Sequence, residues 1–172
     1  MSFAAFMASL VDTQLIAVAH HWNAARGDRL APAWRDIDPT GIGPHLSIIW
    51  AWRWDEDEQA FIGRLAGADI EQVLNARYRG SRMVDVFGEK LALTMHDRAL
   101  RIMREPATVH SIGRLVTKRK VTGVGERIVL PLGGEPGGVL GATVYRQGDY
   151  ERLQGVGIDD DTEVNTFFSL RP

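Results

Sequence analysis

The sequence predicts an α+β fold, a five-stranded antiparallel sheet with helices packed against it, and three observations carry that expectation. Ile48, Trp50, Trp52 and Trp54 recur at period two while Ile49 and Ala51 make the alternate positions apolar, so this strand is covered on both faces. Leu15, Val18, Trp22 and Ala25 recur at helical spacing between Leu10 and Arg26, which supplies one cover. Helical periodicity returns only between the second and third strand patterns, which bunches the remaining helices into one cluster. Burying a large apolar side chain is worth roughly 1.5–3 kcal/mol. Three tryptophans left in water would therefore forfeit much of a domain's margin of roughly 5–15 kcal/mol.

In chain order, the first helix is expected over Leu10 to Arg26, stopped at Gly27, with Ser9 and Asp12 spaced as a capping box and Phe3, Phe6 and Met7 open to extending it backward. It either covers the sheet or joins two copies through Leu15, Val18 and Trp22. Asp28 to Pro44 holds three prolines and Asp36-Ile37-Asp38-Pro39. Its aspartates read as caps, with Asp38 opening a short helix at Pro39, and not as an acid/base pair. Strand one spans Ser47 to Trp54. Asp55 to Glu58 is a solvated acidic turn without the spaced ligand pattern of a cation loop, and Phe61 to Gly67 is strand two.

Ile70, Val73 and Leu74 then give a short helix, Arg79-Gly80-Ser81 breaks it, and Met83, Val84 and Phe87 continue over an irregular turn. The longer second helix runs from Glu89 to Arg104 with Leu91, Met95, Leu100 and Met103 on one face, and Pro106 ends it. Val109 to Lys118, Gly125 to Leu132 and Val139 to Arg146 are strands three to five, with Ile112 and Val116 on one side of strand three and Leu115 on the other. The glycine-rich run Gly133 to Gly138 lacks the Lys-Ser/Thr of a phosphate loop and lies between strands, so it reads as a hairpin. Beyond Gln147 the chain turns polar, then acidic at Asp159 to Asp161, before the apolar patch of Phe167 and Phe168. That tail is expected to dock on the domain or a second copy, or to stay partly disordered. The expected division is 1–46 for helix and connector, 47–147 for the core and 148–172 for the tail.

At 172 residues and 45% hydrophobic content the chain suits one domain. A net charge of -2 gives no global attraction to nucleic acid or anionic membrane, and neither is expected as a partner. The absence of cysteine removes disulfides, thiolate nucleophiles and cysteine-ligated metals. The N-terminus lacks a basic, unbroken apolar leader and no apolar run approaches about 18 residues. The expectation is a soluble cytoplasmic protein.

Set in order, the helix bearing Trp22 followed by Asp36-Ile37-Asp38-Pro39, Phe61 with Arg64-Leu65-Ala66-Gly67 leading to Ile70, Arg79-Gly80-Ser81, Ile128-Val129-Leu130-Pro131-Leu132 and Leu140-Gly141 resemble a bacterial family of short, mostly stand-alone PAS-like proteins. The resemblance covers about Trp22 to Arg146. It implies a PAS fold with sheet order 2-1-5-4-3, helices on one face and the N-terminal helix on the other, and a non-catalytic role as a sensory or interaction module. It also implies a cavity between sheet and helices, for which Ile70, Met83, Val84, Phe87, Leu91, Met95 and Ile112 are the lining candidates and Arg79 a candidate anion contact.

Arg77, Arg79 and Arg82 read either as a grip on a carboxylate or phosphate at the cavity mouth or, more economically, as a solvated turn. Arg114, Lys118, Arg119, Lys120 and Arg127 form a basic region best explained as charged edge protection. Of five histidines, His45 and His110 are expected exposed. His96 lies on the longer helix, which in haem-binding PAS proteins carries the iron ligand. The favoured reading is a histidine beside Asp97 without a metal, so no cofactor is assigned and only a small-molecule ligand is carried forward. Nothing resembles a triad or nucleotide loop. The expected partners are a second copy and a signalling protein. The alternatives are a cone-shaped isomerase-like enzyme, which needs Asp69 or His96 inside the cavity, and a ligand-free adaptor.

Overall fold

The computed structural model describes residues 2–116, 121–147, 157–158 and 163–171. Two helices open the chain, α1 (Phe3–Ser9) and α2 (Thr13–Arg26). The helix expected from Leu10 is α2, starting three residues later, and the residues open to extending it backward form a separate helix, α1. Leu10 closes α1 in extended backbone, and Asp12 starts α2, its carboxylate accepting from the Gln14 amide at 2.8 Å. Ser9, expected in a capping box, instead donates back to the Phe6 carbonyl at 2.7 Å. The connector holds two 3-10 turns, Trp34–Asp36 and Gly43–Ile48. Asp36 accepts from the Ala33 amide at 2.9 Å and from Arg29 at 2.6 Å. Asp38 accepts from the Thr40 amide at 2.9 Å, which makes an Asx turn and not a helix start at Pro39.

The core follows as β1 (Ile49–Asp55), β2 (Ala60–Ala66), α3 (Ala68–Leu74), α4 (Met83–Phe87), α5 (Glu89–Arg104), β3 (Ala107–Val116), β4 (Val121–Leu132) and β5 (Gly138–Gln147). Ser47 and Ile48 belong to the preceding 3-10 turn and not to β1. Two further strands, β6 (Gly157–Ile158) and β7 (Val164–Ser169), close the count. The acidic hairpin between β1 and β2 is knit to its own neighbours: Asp55 accepts from Arg53, Glu56 from the Trp54 indole and Glu58 from Arg82, each at 2.6 Å. Gly133 to Gly138 is the β4–β5 hairpin connection.

All pairs between the described strands are antiparallel, and the order 2-1-5-4-3 implied by the resemblance is present with a sixth position added beside β3. That position is shared, β7 pairing Ala107 to Ile112 and β6 pairing Leu115 and Val116. The described part of the tail thus docks on the domain's own sheet. No helix among the described residues is long and apolar enough to cross a membrane.

Each sheet face carries its own core, as the two-sided β1 pattern requires. Outside, Phe6, Leu15, Val18 and Trp22 lie on Ile49, Ala51, Ile128, Leu130 and Leu140, and the Trp22 indole donates to the Pro131 carbonyl at 2.9 Å. Inside, Trp52, Trp54, Val129 and Val139 meet Phe61, Tyr78, Met83, Ala99 and Ile102. Trp50 sits opposite Gly141, where an added Cβ would come 2.1 Å from the indole; the missing side chain is what lets that ring lie over β5.

Two readings of facing are corrected. The buried face of α5 runs through Ala92, Ala99 and Ile102, leaving Leu91, Leu100 and Met103 half-buried. In β3 the inward residue is Val109, so Ile112, three positions on, falls on the opposite face and is 38% exposed.

Candidate functional site

The inner sheet face and α3 to α5 border a cavity of about 50 Å³, room for several waters as it stands. Its apolar wall comes from Trp50 and Trp52 of β1, Val129 of β4, Val139 of β5, Ile70 and Leu74 of α3, Met83 and Phe87 of α4, and Met95 and Ala99 of α5. The Trp52 ring stacks at a tilt on Tyr78, centroids 4.4 Å apart, with Phe87 at 5.9 Å.

A polar row runs from this wall across the inner sheet face. Arg127, Thr143, Ser111 and Asn165 occupy mutually paired positions on β4, β5, β3 and β7, so their side chains share one face. Arg127 Nε donates to Thr143 Oγ1 at 3.2 Å, and the Trp50 indole donates to the same oxygen at 2.9 Å. Ser111 donates to Asn165 Oδ1 at 2.6 Å. Arg98 of α5 joins the row through Glu163, whose carboxylate takes Arg98 Nη1 at 3.0 Å and Arg127 Nη1 at 3.2 Å. All three charged groups are nearly enclosed, their side chains 10%, 12% and 1% exposed for Arg98, Arg127 and Glu163.

Two tyrosines complete the lining. Burial pushes the Tyr78 phenol well above its ordinary value against the opposing field of Arg127. Its hydroxyl has no hydrogen-bond partner among the described residues. Burial raises Tyr145 as well, with Arg127 again opposing.

Of the lining candidates, Ile70, Met83, Phe87 and Met95 meet at this cavity. Val84 turns away, 42% exposed, and borders a separate surface groove with Phe61, Arg82, Leu93 and His96. Leu91 is half-buried outside the cavity wall, and Ile112 is on the outer face. Arg77 and Arg79 are exposed and away from the cavity, and Arg82 pairs with Glu58. The guanidiniums that do reach the cavity are Arg98 and Arg127. The sequence places Arg127 in an edge-protecting basic region, yet β4 is interior to the sheet, between β5 and β3. Lys118, Arg119, Lys120 and Asp159 to Asp161 lie outside the described residues.

His96 packs on Phe61 and Trp54 at 5.6 and 5.9 Å and lies 3.4 Å from Asp97, in the surface groove and not in the enclosed cavity. Asp69 accepts from the Ser47 hydroxyl at 2.9 Å and is no part of the cavity wall. Leu15, Val18 and Trp22 have no exposed surface, so of the two roles left open for them the fold uses sheet covering.

Reasoning from the sequence missed Tyr78, Arg98, Arg127, Thr143, Tyr145 and Glu163. A signal existed for Arg127. Glu126 and Arg127 place a charge on each face of a strand that the resemblance sets inside the sheet, and such charges need partners. Glu126 has them on the outer face, where it is 3% exposed. It accepts from the Val11 and Asp12 amides at 2.8 and 3.0 Å, lies 3.0 Å from His110 Nε2 and accepts from Arg146 at 3.1 Å. His110 is therefore buried and not exposed, drawn in by that carboxylate.

A family model described as PAS domain matches residues 11–144, from the residue before the α2 cap to the middle of β5. No curated protein and no solved structure matches the chain. The matched span takes in all five strands of the 2-1-5-4-3 sheet, the helices over its inner face and α2 over its outer face. This chain belongs to the PAS domain family.

Proposed function

We propose that this PAS domain is a non-catalytic cytoplasmic sensory or interaction module that holds a small molecule between its inner sheet face and α3 to α5. One observation carries the reading: a largely apolar cavity whose wall includes two nearly enclosed guanidiniums and a tyrosine hydroxyl with no partner among the described residues. A buried unpaired hydroxyl costs about 1–3 kcal/mol, and a ligand acceptor would remove that cost. The two methionines, Met83 and Met95, are unbranched and let the wall adjust to an occupant. The output passes to a second copy or a signalling partner, and the exposed Val84 and Leu93 beside the surface groove support that role.

The isomerase-like alternative ranks lower because Asp69 is held by Ser47 and His96 borders the surface groove, so neither supplies a base to the cavity. The test is extraction of purified protein followed by mass spectrometry, with the Met83 and Met95 methyl resonances followed as the extract is returned to stripped protein. A stoichiometric small molecule that moves both methyls is expected. Methyls that answer to no returned fraction overturn the ligand reading and leave an adaptor.

A further inference from the structure

The polar part of the cavity wall is two guanidiniums and the three hydroxyls of Tyr78, Thr143 and Tyr145, so donors outnumber acceptors there. Arg98 and Arg127 contribute guanidiniums, Tyr78 a hydroxyl with no partner among the described residues, and Thr143 a hydroxyl whose oxygen already accepts from Trp50 and Arg127. A guanidinium has no acceptor to offer, so a molecule lying against Trp50, Trp52 and the two methionines meets an apolar body and a donor-rich end. The chemistry that satisfies both is an apolar chain ending in an anion that only accepts.

The two guanidiniums already hold one carboxylate. Glu163 spends one oxygen on each, at 3.0 and 3.2 Å, and is itself almost wholly buried. It stands one residue before β7, the strand that closes the β3 edge. The fork therefore has the geometry to take a carboxylate, and the group occupying it is tethered to a separable segment. The first β7 residue, Val164, is 68% exposed, whereas Phe168 near its far end is 3% exposed in the outer core. Loss of the Glu163 contact would thus act on the start of the strand and leave its end anchored.

Resting on the cavity as a ligand site, we propose that the ligand is a small carboxylic acid with a short apolar chain, bound as the carboxylate, and that it competes with Glu163 for the Arg98 and Arg127 pair. Occupancy then loosens residues 163–165, and the C-terminal segment reports the ligand. The cavity of about 50 Å³ sets the scale to a short chain, with Met83 and Met95 yielding for the longer members of a series.

The probes are hexanoate and hexan-1-ol, equal in chain length, added to the full chain and followed by calorimetry, methionine methyl resonances and amide hydrogen exchange. Hexanoate is expected to bind at least about tenfold more tightly than the alcohol, which is about 1.4 kcal/mol. Glu163→Gln, which removes the competing charge, is expected to tighten hexanoate by about tenfold or more. Hexanoate is expected to speed exchange at Val164 and Asn165 and leave Phe168 unchanged. Hexan-1-ol bound as well as hexanoate overturns the acid class and leaves the cavity reading standing. Equal hexanoate affinity in wild type and Glu163→Gln overturns the competition. Neither probe bound overturns the inference, and the extraction experiment then decides the cavity reading by itself. Should Glu163→Gln not fold, the hexanoate to hexan-1-ol ratio and the Val164 exchange in wild type decide the matter.

Discussion

Tyr78 is where packing and polarity pull in opposite directions. Its ring is fully buried on Trp52, while its hydroxyl finds no partner among the described residues. Tyr78→Phe keeps the ring contacts and removes the stranded group, so at neutral pH the ligand-free protein should be unchanged or more stable by up to about 1–3 kcal/mol in urea unfolding. A clear loss would mean the hydroxyl is satisfied. The same burial raises the folded phenol's pKa above its ordinary value. The unfolded phenol ionises near pH 10, so the unfolded state sheds its proton first. Stability from this group is complete below about pH 10 and falls as pH rises beyond it. The urea midpoint should drop with alkalinity, and drop less steeply in Tyr78→Phe. None of this was legible beforehand, because Tyr78 sits in a segment flanked by Arg77 and Arg79 that reads as a solvated break. Its ring is placed by Gly63, where an added Cβ would lie 2.0 Å from the Tyr78 carbonyl, a contact that local pattern does not announce.

Among the elements, α2 shows what periodicity conveys and what it omits. Leu15, Val18 and Trp22 form the stripe that the spacing predicts, and all three are fully buried on the sheet. Trp22→Ala should cost about 3–5 kcal/mol in urea unfolding without changing the mass found by light scattering, since none of that face is exposed. A fall in mass would instead show association through α2. The break between α1 and α2 was not legible, because the apolar stripe runs on through Phe3 and Phe6 while the cause lies 115 residues away in sequence, where Glu126 accepts the Val11 amide. Glu126→Ala strips a buried acceptor from two amides and Arg146, with an expected loss of order 3 kcal/mol. Hydrogen exchange should speed up first at Val11 and Asp12. Uniform acceleration throughout the sheet would show a general packing defect and no corner latch. Strand ends came within a few residues wherever alternation was strict. The facing of Ile112 did not, because alternation fixes only which residues share a face, and the buried side of β3 is set by Val109.

At the scale of the molecule, the sheet order and the apolar half of the cavity were legible, and the polar half was not. Ile70, Met83, Phe87 and Met95 converge because their elements do. Arg98 and Arg127 share the carboxylate of Glu163 from the tail, a long-range arrangement that leaves no local mark. The tail's docking predicts a cost for its removal. A chain ending at Gln147 should unfold at lower urea, because Phe6 loses the Phe168 ring 5.6 Å away and both arginines lose their carboxylate. The shared sixth position also has a bearing on behaviour at high concentration. Beyond β3 the rim passes to the short strands β6 and β7, and the opposite rim is covered by a bridge from Ile62 to Arg82 with hydrogen bonds between Gly63 and the 80–81 backbone. Bare strand margins are what template fibre growth. The intact chain should therefore remain dark to thioflavin on prolonged incubation, and the shortened one, with β3 uncovered, should light up.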